Sequence, residues 1–221
     1  NGMLYSNKRK QILSGWLKKS AYSEEYKNPL KLQKFLLFYE LFSDIDGENC
    51  DLDHLRGWKK GPVFSNVWGD YTKERILYDE AVEREYAANG KAVTSLRAKK
   101  AAFLCGIMTE NELSELTHQL HLWNCKKDRI ENGEYNVPLS KEDFSKEDRN
   151  YIRQLEEMYP ESYIDSTAIL QIDDTFYLFP EKKLSDLTEK HYDILAEMAE
   201  TNELQNPVYS DLTEDGKLVV D

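Results

Sequence analysis

Two histidines, His118 and His121, have the spacing in this sequence that comes nearest to a metal site. They lie three positions apart in a predicted helix, so both imidazoles can occupy one face, as two ligands of one metal ion must. The surrounding sequence offers no third ligand at a recognised spacing. We therefore predict hydrogen-bonded structural histidines and no bound metal. A metal-dependent hydrolase that uses His118 and His121 is the lesser alternative.

The sequence also lacks the pattern of a nucleophilic enzyme. A nucleophile needs a hydroxyl or thiol beside a base that a third group orients. Thr117 precedes His118, but adjacent residues of a helix point about 100° apart. The nucleophile elbow, the Walker A loop, the dinucleotide-binding turn and the zinc-protease motif are all absent from the sequence. We predict that the chain is not an enzyme and has neither catalytic residues nor a cofactor.

The composition is that of a folded protein with an uneven distribution of charge. Of the 221 residues, 40 % are hydrophobic and 12 % are aromatic, which is too many for intrinsic disorder. The formal net charge is −12, and residues 161–221 carry −11 of it, with 15 acidic and 4 basic side chains. Because such a chain repels phosphates, we expect no nucleic-acid partner.

Compartment and redox state follow from what the sequence lacks. The longest strongly apolar run spans residues 35–42 and is interrupted by Glu40, whereas a membrane-spanning helix needs about 20 apolar residues. The beginning of the sequence has no apolar stretch of signal-peptide length. We therefore expect a cytoplasmic protein without a membrane partner. Cys50, Cys105 and Cys125 form no CxxC pair, so we expect reduced, buried thiols.

Helical periodicity dominates the first 159 residues. An amphipathic helix is predicted over residues 8–20, with the basic side chains Lys8, Arg9, Lys10, Lys18 and Lys19 on a solvated face. Asn28 and Pro29 predict a helix start, and the helix over 30–44 is apolar nearly all round, which is typical of the centre of a core. Further helices are predicted over 96–107, after Thr109 and over 146–159.

The segment between these helices is less regular. A short helix is predicted from Asp51, with Gly57 as its end, followed by a turn over residues 58–63. Ser65 is the predicted N-cap of the next helix, and residues 76–90 receive no assignment. Together these patterns predict a mainly α fold, with a compact helical domain over residues 1–159.

After Pro160 the sequence predicts a small, acidic α+β extension over residues 160–221. Residues 168–172 and 175–179 flank Asp173 and Asp174 in a predicted hairpin. A helix is predicted over 185–200, and residues 208–212 and 217–220 form a second predicted hairpin.

Three segments together resemble a known family. They are residues 28–36, then Trp58 ahead of Gly61-Pro62-Val63, then Leu116-Thr117-His118 with Trp123 five positions on. Their order and spacing resemble the signature of the Panacea domain, a family of phage-associated bacterial antitoxins of the SocA and GepA type. The resemblance spans residues 10–145. Lys60 departs from the pattern where an aromatic residue or histidine often precedes Gly-Pro, and Leu122 departs where proline often precedes the tryptophan.

The resemblance implies a mainly helical antitoxin that binds a protein toxin directly. In some members the domain instead hands the toxin to an ATP-dependent protease, so a proteolytic adaptor is the alternative. The family-motif residues, which we expect to build the scaffold more than to contact the toxin, are Lys31, Gln33, Lys34, Trp58, Gly61, Pro62, Val63, Thr117, His118 and Trp123. The acidic extension is expected either to steer or cover a basic toxin surface or to serve as an ordinary solubility device.

Overall fold

The computed structural model describes residues 2–201 and 203–221, which form two compact units. The first consists of the chain up to Cys105 together with Glu110–Tyr159, and the second of Gly106–Thr109 together with Pro160–Asp221. Helices take up 58 % of the chain and strands 14 %, which confirms the prediction of a mainly α protein. Within the described residues, no helix has the length and apolar character needed to cross a membrane.

The first unit is helical around one small sheet. Its strands β1 (Leu55–Trp58), β2 (Gly61–Phe64) and β3 (Val137–Pro138) are antiparallel, in the order β2-β1-β3. The helices described for this part of the chain are α1 (Lys8–Lys19), α2 (Ser23–Tyr26), α3 (Pro29–Ile45), α4 (Ser65–Lys73), α5 (Arg75–Asn89), α6 (Ser95–Gly106), α7 (Glu110–His118), α8 (His121–Asn124), α9 (Lys127–Glu131) and α10 (Lys146–Glu157).

Helix α3 is the centre of the core, as its sequence predicts. The side-chain oxygen of Asn28 accepts hydrogen bonds from the backbone N–H groups of Leu30 and Lys31, both at 3.0 Å, and Pro29 is the first helical residue. Every residue from Leu30 to Asp44 is buried. Helices α6, α7 and α10 confirm the other predicted helices of this unit.

Helix α1 is confirmed, but the prediction that its basic residues lie on a solvated face is wrong for Lys10. The Lys10 side chain is 2 % exposed, and its ammonium lies 2.5 Å from Glu40 Oε2. Arg9 donates to the same carboxylate, with Nη2 2.7 Å from Oε1. The physical reason is Glu40 itself, because a carboxylate inside the apolar face of α3 is stable only when cations accompany it.

The predicted helix at residues 51–57 is wrong, because Leu55–Trp58 is strand β1. Leu55 and Gly57 are buried while Arg56 and Trp58 are half-buried, which is the alternation of a strand. Of the predicted turn at 58–63, only Lys59 and Lys60 form the turn of the β1–β2 hairpin, because Trp58 belongs to β1 and residues 61–63 belong to β2. Ser65 is the first helical residue of α4 and not its N-cap, which is Phe64. Residues 76–89 of the unassigned segment belong to α5, and Gly90 is its C-cap.

The second unit contains a four-stranded sheet in the order β4-β5-β6-β7. Both predicted hairpins are confirmed, but the parallel pairing of β5 with β6 has no counterpart in the predictions. The predicted helix at 185–200 begins later, because Thr188 caps it by accepting a hydrogen bond from the N–H of His191. The elements are α11 (Glu161–Asp165), β4 (Thr167–Ile172), β5 (Thr175–Pro180), α12 (Glu189–Glu200), β6 (Val208–Leu212) and β7 (Leu218–Val220).

Candidate functional site at the β1–β2 hairpin

The three segments that resemble the family signature meet at the tip of the β1–β2 hairpin. Trp58 pairs with Gly61 in the ladder, so Lys59 and Lys60 form the turn. Three consecutive backbone carbonyls of this tip each bind a side chain from outside the hairpin. The partners are Trp123 Nε1 to Trp58 O at 2.8 Å, His118 Nε2 to Lys59 O at 2.8 Å, and Lys34 Nζ to Lys60 O at 2.8 Å.

The other end of β2 is held by α3 in the same way. Gln33 Oε1 accepts a hydrogen bond from the Phe64 N–H at 2.8 Å, and Gln33 Nε2 donates to the Phe64 carbonyl at 3.2 Å. Buried backbone groups need partners, and here side chains of α3 supply them. Adjacent residues of α3, Gln33 and Lys34, thus hold opposite ends of one strand.

Lys34 is fully buried, and its hydrogen-bond partners in the described part of the chain are uncharged. Besides Lys60 O, its amine donates to Thr117 Oγ1 at 3.3 Å, and the Thr117 hydroxyl donates to Ser114 O at 2.9 Å. Burial lowers the pKa of Lys34 to about 7. A neutral amine has two N–H groups, and these two acceptors match them. In the described residues, no salt bridge joins Lys34 to a carboxylate.

Gly61 lets the hairpin approach the Lys34 amine closely. Its φ is 116°, a conformation that residues with a side chain rarely adopt. A Cβ at this position would lie 2.3 Å from Lys34 Nζ and 2.5 Å from Thr117 Oγ1. Position 61 therefore requires glycine for two independent reasons. Its backbone has a positive φ, and Lys34 and Thr117 leave no room for a Cβ.

Replacing Gly61 by alanine is expected to destabilise the fold by about 2–4 kcal/mol, since both the strained φ and the collision with Lys34 must be accommodated. Gly69 in α4 is a matched control, because no other group lies within 4 Å of its Cβ position. Gly69→Ala should stabilise the helix by up to about 1 kcal/mol. Urea unfolding of both variants measures the difference, and equal midpoints would contradict this account of Gly61.

His118 and Trp123 form one wall of a cleft beside the hairpin tip. Their ring centroids are 4.1 Å apart. Burial lowers the pKa of His118, which favours the neutral imidazole. Its Nε2 donates a hydrogen bond to Lys59 O. The cleft has a volume of about 410 Å³. Its remaining lining residues are Lys59, Asn124, Lys127 and Glu131.

The structure gives His118 and His121 separate roles. His121 Nδ1 bonds to the carbonyl of Asp143 at 2.8 Å, whereas His118 Nε2 bonds to Lys59 O. Within residues 2–201 and 203–221, no group of three or more His, Cys, Asp or Glu side chains has a metal-binding arrangement.

Most of the family-motif residues lie inside the protein. Buried are Lys31, Gln33, Lys34, Gly61, Pro62, Val63, Thr117 and Trp123. Trp58 and His118 are half-buried, and Trp58 donates from Nε1 to Asn136 Oδ1 at 2.9 Å while packing edge-on against Trp68. These residues thus build the hairpin and its surroundings. The exposed residues at the turn and the cleft are Lys59, Lys60, Asn124, Lys127 and Glu131.

Two departures from the family pattern have local explanations. Lys60 has an exposed side chain and contributes its backbone carbonyl, so the identity of its side chain does not affect the bond to Lys34. The N–H of Leu122 donates to Asp148 Oδ2 at 2.9 Å. A proline at position 122 would lack this donor. Asp148 also accepts from the His121 N–H at 2.7 Å, a role that the sequence analysis missed.

The cysteines do not add a nucleophile to this site. Cys105 is buried and Cys50 is half-buried, and burial raises the pKa of both thiols, that of Cys50 to about 12. Cys125 is exposed, so the prediction of buried thiols is wrong for this residue. It follows α8, where the chain reaches the surface.

In comparisons with protein-family models, with curated proteins and with solved structures, nothing matches this chain. The resemblance to the Panacea domain therefore depends on the three segments themselves.

Proposed function

We propose that this chain is the antitoxin of a toxin–antitoxin system and neutralises a protein toxin by binding it directly. The toxin is the product of a neighbouring gene, and the complex forms in the cytoplasm. In this proposal the chain acts as a binding protein, without catalysis, cofactor, membrane or nucleic acid.

The observation that carries the proposal is the set of three hydrogen bonds to consecutive carbonyls of the hairpin tip. Their donors, Lys34, His118 and Trp123, come from two of the three segments that resemble the antitoxin family, and the acceptors come from the third. Residues nearly 90 positions apart in the sequence thus serve one local structure. A family signature that specifies a scaffold is expected to behave in this way.

The charge distribution supports a binding role for the second unit. Residues 161–221 carry a net charge of −11, and their acidic side chains are exposed. Complementary charge raises the rate at which proteins associate, so a basic toxin surface is the partner that this unit favours.

The experiment is growth rescue. The neighbouring open reading frame is expressed alone and then together with this chain. Colony formation measures rescue, and co-purification measures complex formation. We expect toxicity alone, rescue on co-expression and a stable complex. Gly69→Ala should rescue as the unaltered chain does, while Gly61→Ala should rescue less, in proportion to its loss of stability. A harmless neighbour, or toxicity without rescue, would refute the proposal.

The fate of the toxin separates occlusion from delivery to a protease. If the chain occludes the toxin, toxin levels stay constant during rescue and the complex is recovered. If the chain is an adaptor, toxin levels fall during rescue, and deletion of the cell's ATP-dependent proteases restores both the toxin and its toxicity. Immunoblotting of the tagged toxin measures this difference.

A further inference from the structure

Strand β4 is the open edge of the sheet in the second unit. It pairs on one side with β5, and Gln171 stands opposite Phe176. The Phe176 N–H donates to Asn206 Oδ1 at 2.8 Å and not to β4, so this is a pair without ladder hydrogen bonds. Hydrogen-bonded and non-hydrogen-bonded pairs alternate along an antiparallel ladder. The backbone N–H and C=O groups of Thr167, Ile169 and Gln171 therefore point away from β5, outward from the sheet.

This edge has none of the usual protection against strand addition. Natural edge strands are shortened, or carry charged residues, proline or bulges. Strand β4 has six residues, Thr-Ala-Ile-Leu-Gln-Ile, with no charged residue, glycine or proline, and it pairs with β5 without interruption. The opposite edge strand, β7, has only three residues.

The strand is held in place by its own core face, so it can serve as a rigid template. Leu170 and Ile172 pack against the cluster of Tyr177, Phe179 and Leu195. Gln171, on the other face, is exposed. In the described residues, the backbone of Thr167, Ile169 and Gln171 makes no hydrogen bond to a segment outside the sheet.

The charges at the two ends of β4 determine which partner fits. Asp165 precedes the strand, Asp173 and Asp174 follow it, and all three are exposed. A second copy of this chain, paired antiparallel about Ile169, would bring Asp165 and Asp173 of the two copies to the same ends of the paired strands. Like charges so placed destabilise strand pairing. A segment with basic ends would instead be stabilised at both ends.

We propose that the β4 edge is a docking site for an extended segment of a protein partner, which adds to the sheet as a fifth strand. The segment carries Lys or Arg near each end, about eight positions apart, because Asp165 and Asp173 are eight residues apart. Main-chain hydrogen bonds supply affinity, and the terminal charges supply specificity and set the register of the added strand. This site does not depend on the partner being a toxin.

The test uses the full chain and a fluorescent nine-residue peptide with lysine at both ends and alternating threonine and valine between them. We expect the peptide to bind the unaltered chain. Gln171→Pro should weaken binding at least tenfold, since proline removes an outward N–H that the β4–β5 ladder does not use. Gln171→Ala, which loses the same side chain and keeps the N–H, should bind within twofold of the unaltered chain.

Changing the charge of the peptide or of the chain provides a second, independent test. The same peptide with glutamate at both ends should bind at least tenfold more weakly. Asp174→Lys should weaken binding of the lysine-ended peptide at least threefold and strengthen that of the glutamate-ended peptide. Asp174 lies in an exposed turn, so this variant tests the proposal even if Gln171→Pro fails to fold.

Several outcomes would overturn the proposal. One is that the unaltered chain binds neither peptide, another that it binds both equally, and a third that folded Gln171→Pro binds as tightly as Gln171→Ala. Analytical ultracentrifugation adds a fourth, because a dimer that Gln171→Pro dissociates would assign the edge to a second copy. None of these results bears on growth rescue, so the two proposals fail separately.

Discussion

Replacing Glu40 by alanine is expected to destabilise the protein by about 3–5 kcal/mol, a large share of the about 5–15 kcal/mol that keeps a typical domain folded. The Glu40 side chain is fully buried and accepts from Lys10 Nζ at 2.5 Å, from Arg9 and from the Asp51 N–H. Without the carboxylate, the Lys10 ammonium remains buried, and its partners among the described residues are the Asp51 carboxylate at 3.6 Å, the Asp51 carbonyl at 2.8 Å and the face of the Phe64 ring. Urea unfolding at pH 7 measures the loss.

Two further variants separate this buried pair from ordinary surface charge. Glu24 pairs with Lys27 on the surface, so Glu24→Ala should change stability by no more than about 0.5 kcal/mol. The double replacement Lys10→Met with Glu40→Leu should recover much of the loss, because it removes both buried charges. If Glu40→Ala were as mild as Glu24→Ala, the ion pair would not be a major source of stability.

The second large effect concerns Lys34 and pH. Because burial lowers the pKa of Lys34 to about 7, the unfolded chain holds a proton there that the folded chain lacks between pH 7 and about pH 10.5. The contribution of Lys34 to the free energy of unfolding therefore rises with pH across this window, by about 3–4 kcal/mol from pH 7 to pH 10. Below pH 7 the folded protein must bury a charged ammonium.

Comparison with Lys34→Met isolates this contribution, since other groups titrate in the same window. The difference in unfolding free energy between the unaltered chain and Lys34→Met should shift in favour of lysine as the pH rises from 7 to 10. Lys60→Met, at an exposed position in the hairpin turn, should leave the pH profile of stability unchanged. A Lys34→Met profile parallel to that of the unaltered chain would mean that Lys34 is charged throughout.

Elements with local signals were predictable from the sequence. Helix α3 has an Asn-Pro start and an apolar surface, and the β4–β5 hairpin has two strand-forming runs separated by Asp173 and Asp174. Strand β1 lacked such a signal. It is four residues long and contains Gly57, and besides its short hairpin with β2 it pairs with β3 about 80 positions later in the chain. Pairing over that separation has no trace in local periodicity.

The burial of Lys10 shows why charge patterns alone mislead. Arg9 and Lys10 look like a solvated face in a helical projection of α1. The informative residue was Glu40, a single carboxylate in the apolar run of α3, which requires buried cations. The family-motif residues were likewise visible as a pattern, but what they bind was not. Lys34, His118 and Trp123 bind backbone carbonyls, which carry no sequence signal.

The assignment of Gly106–Thr109 to the second unit affects how the protein is made. These residues emerge from the ribosome more than 50 positions before Pro160–Asp221, with which they share a unit. They include Ile107, which is 1 % exposed in the finished fold. The second unit therefore cannot close until Pro160–Asp221 has been synthesised, and its first four residues stay in the nascent chain without the rest of that unit until then.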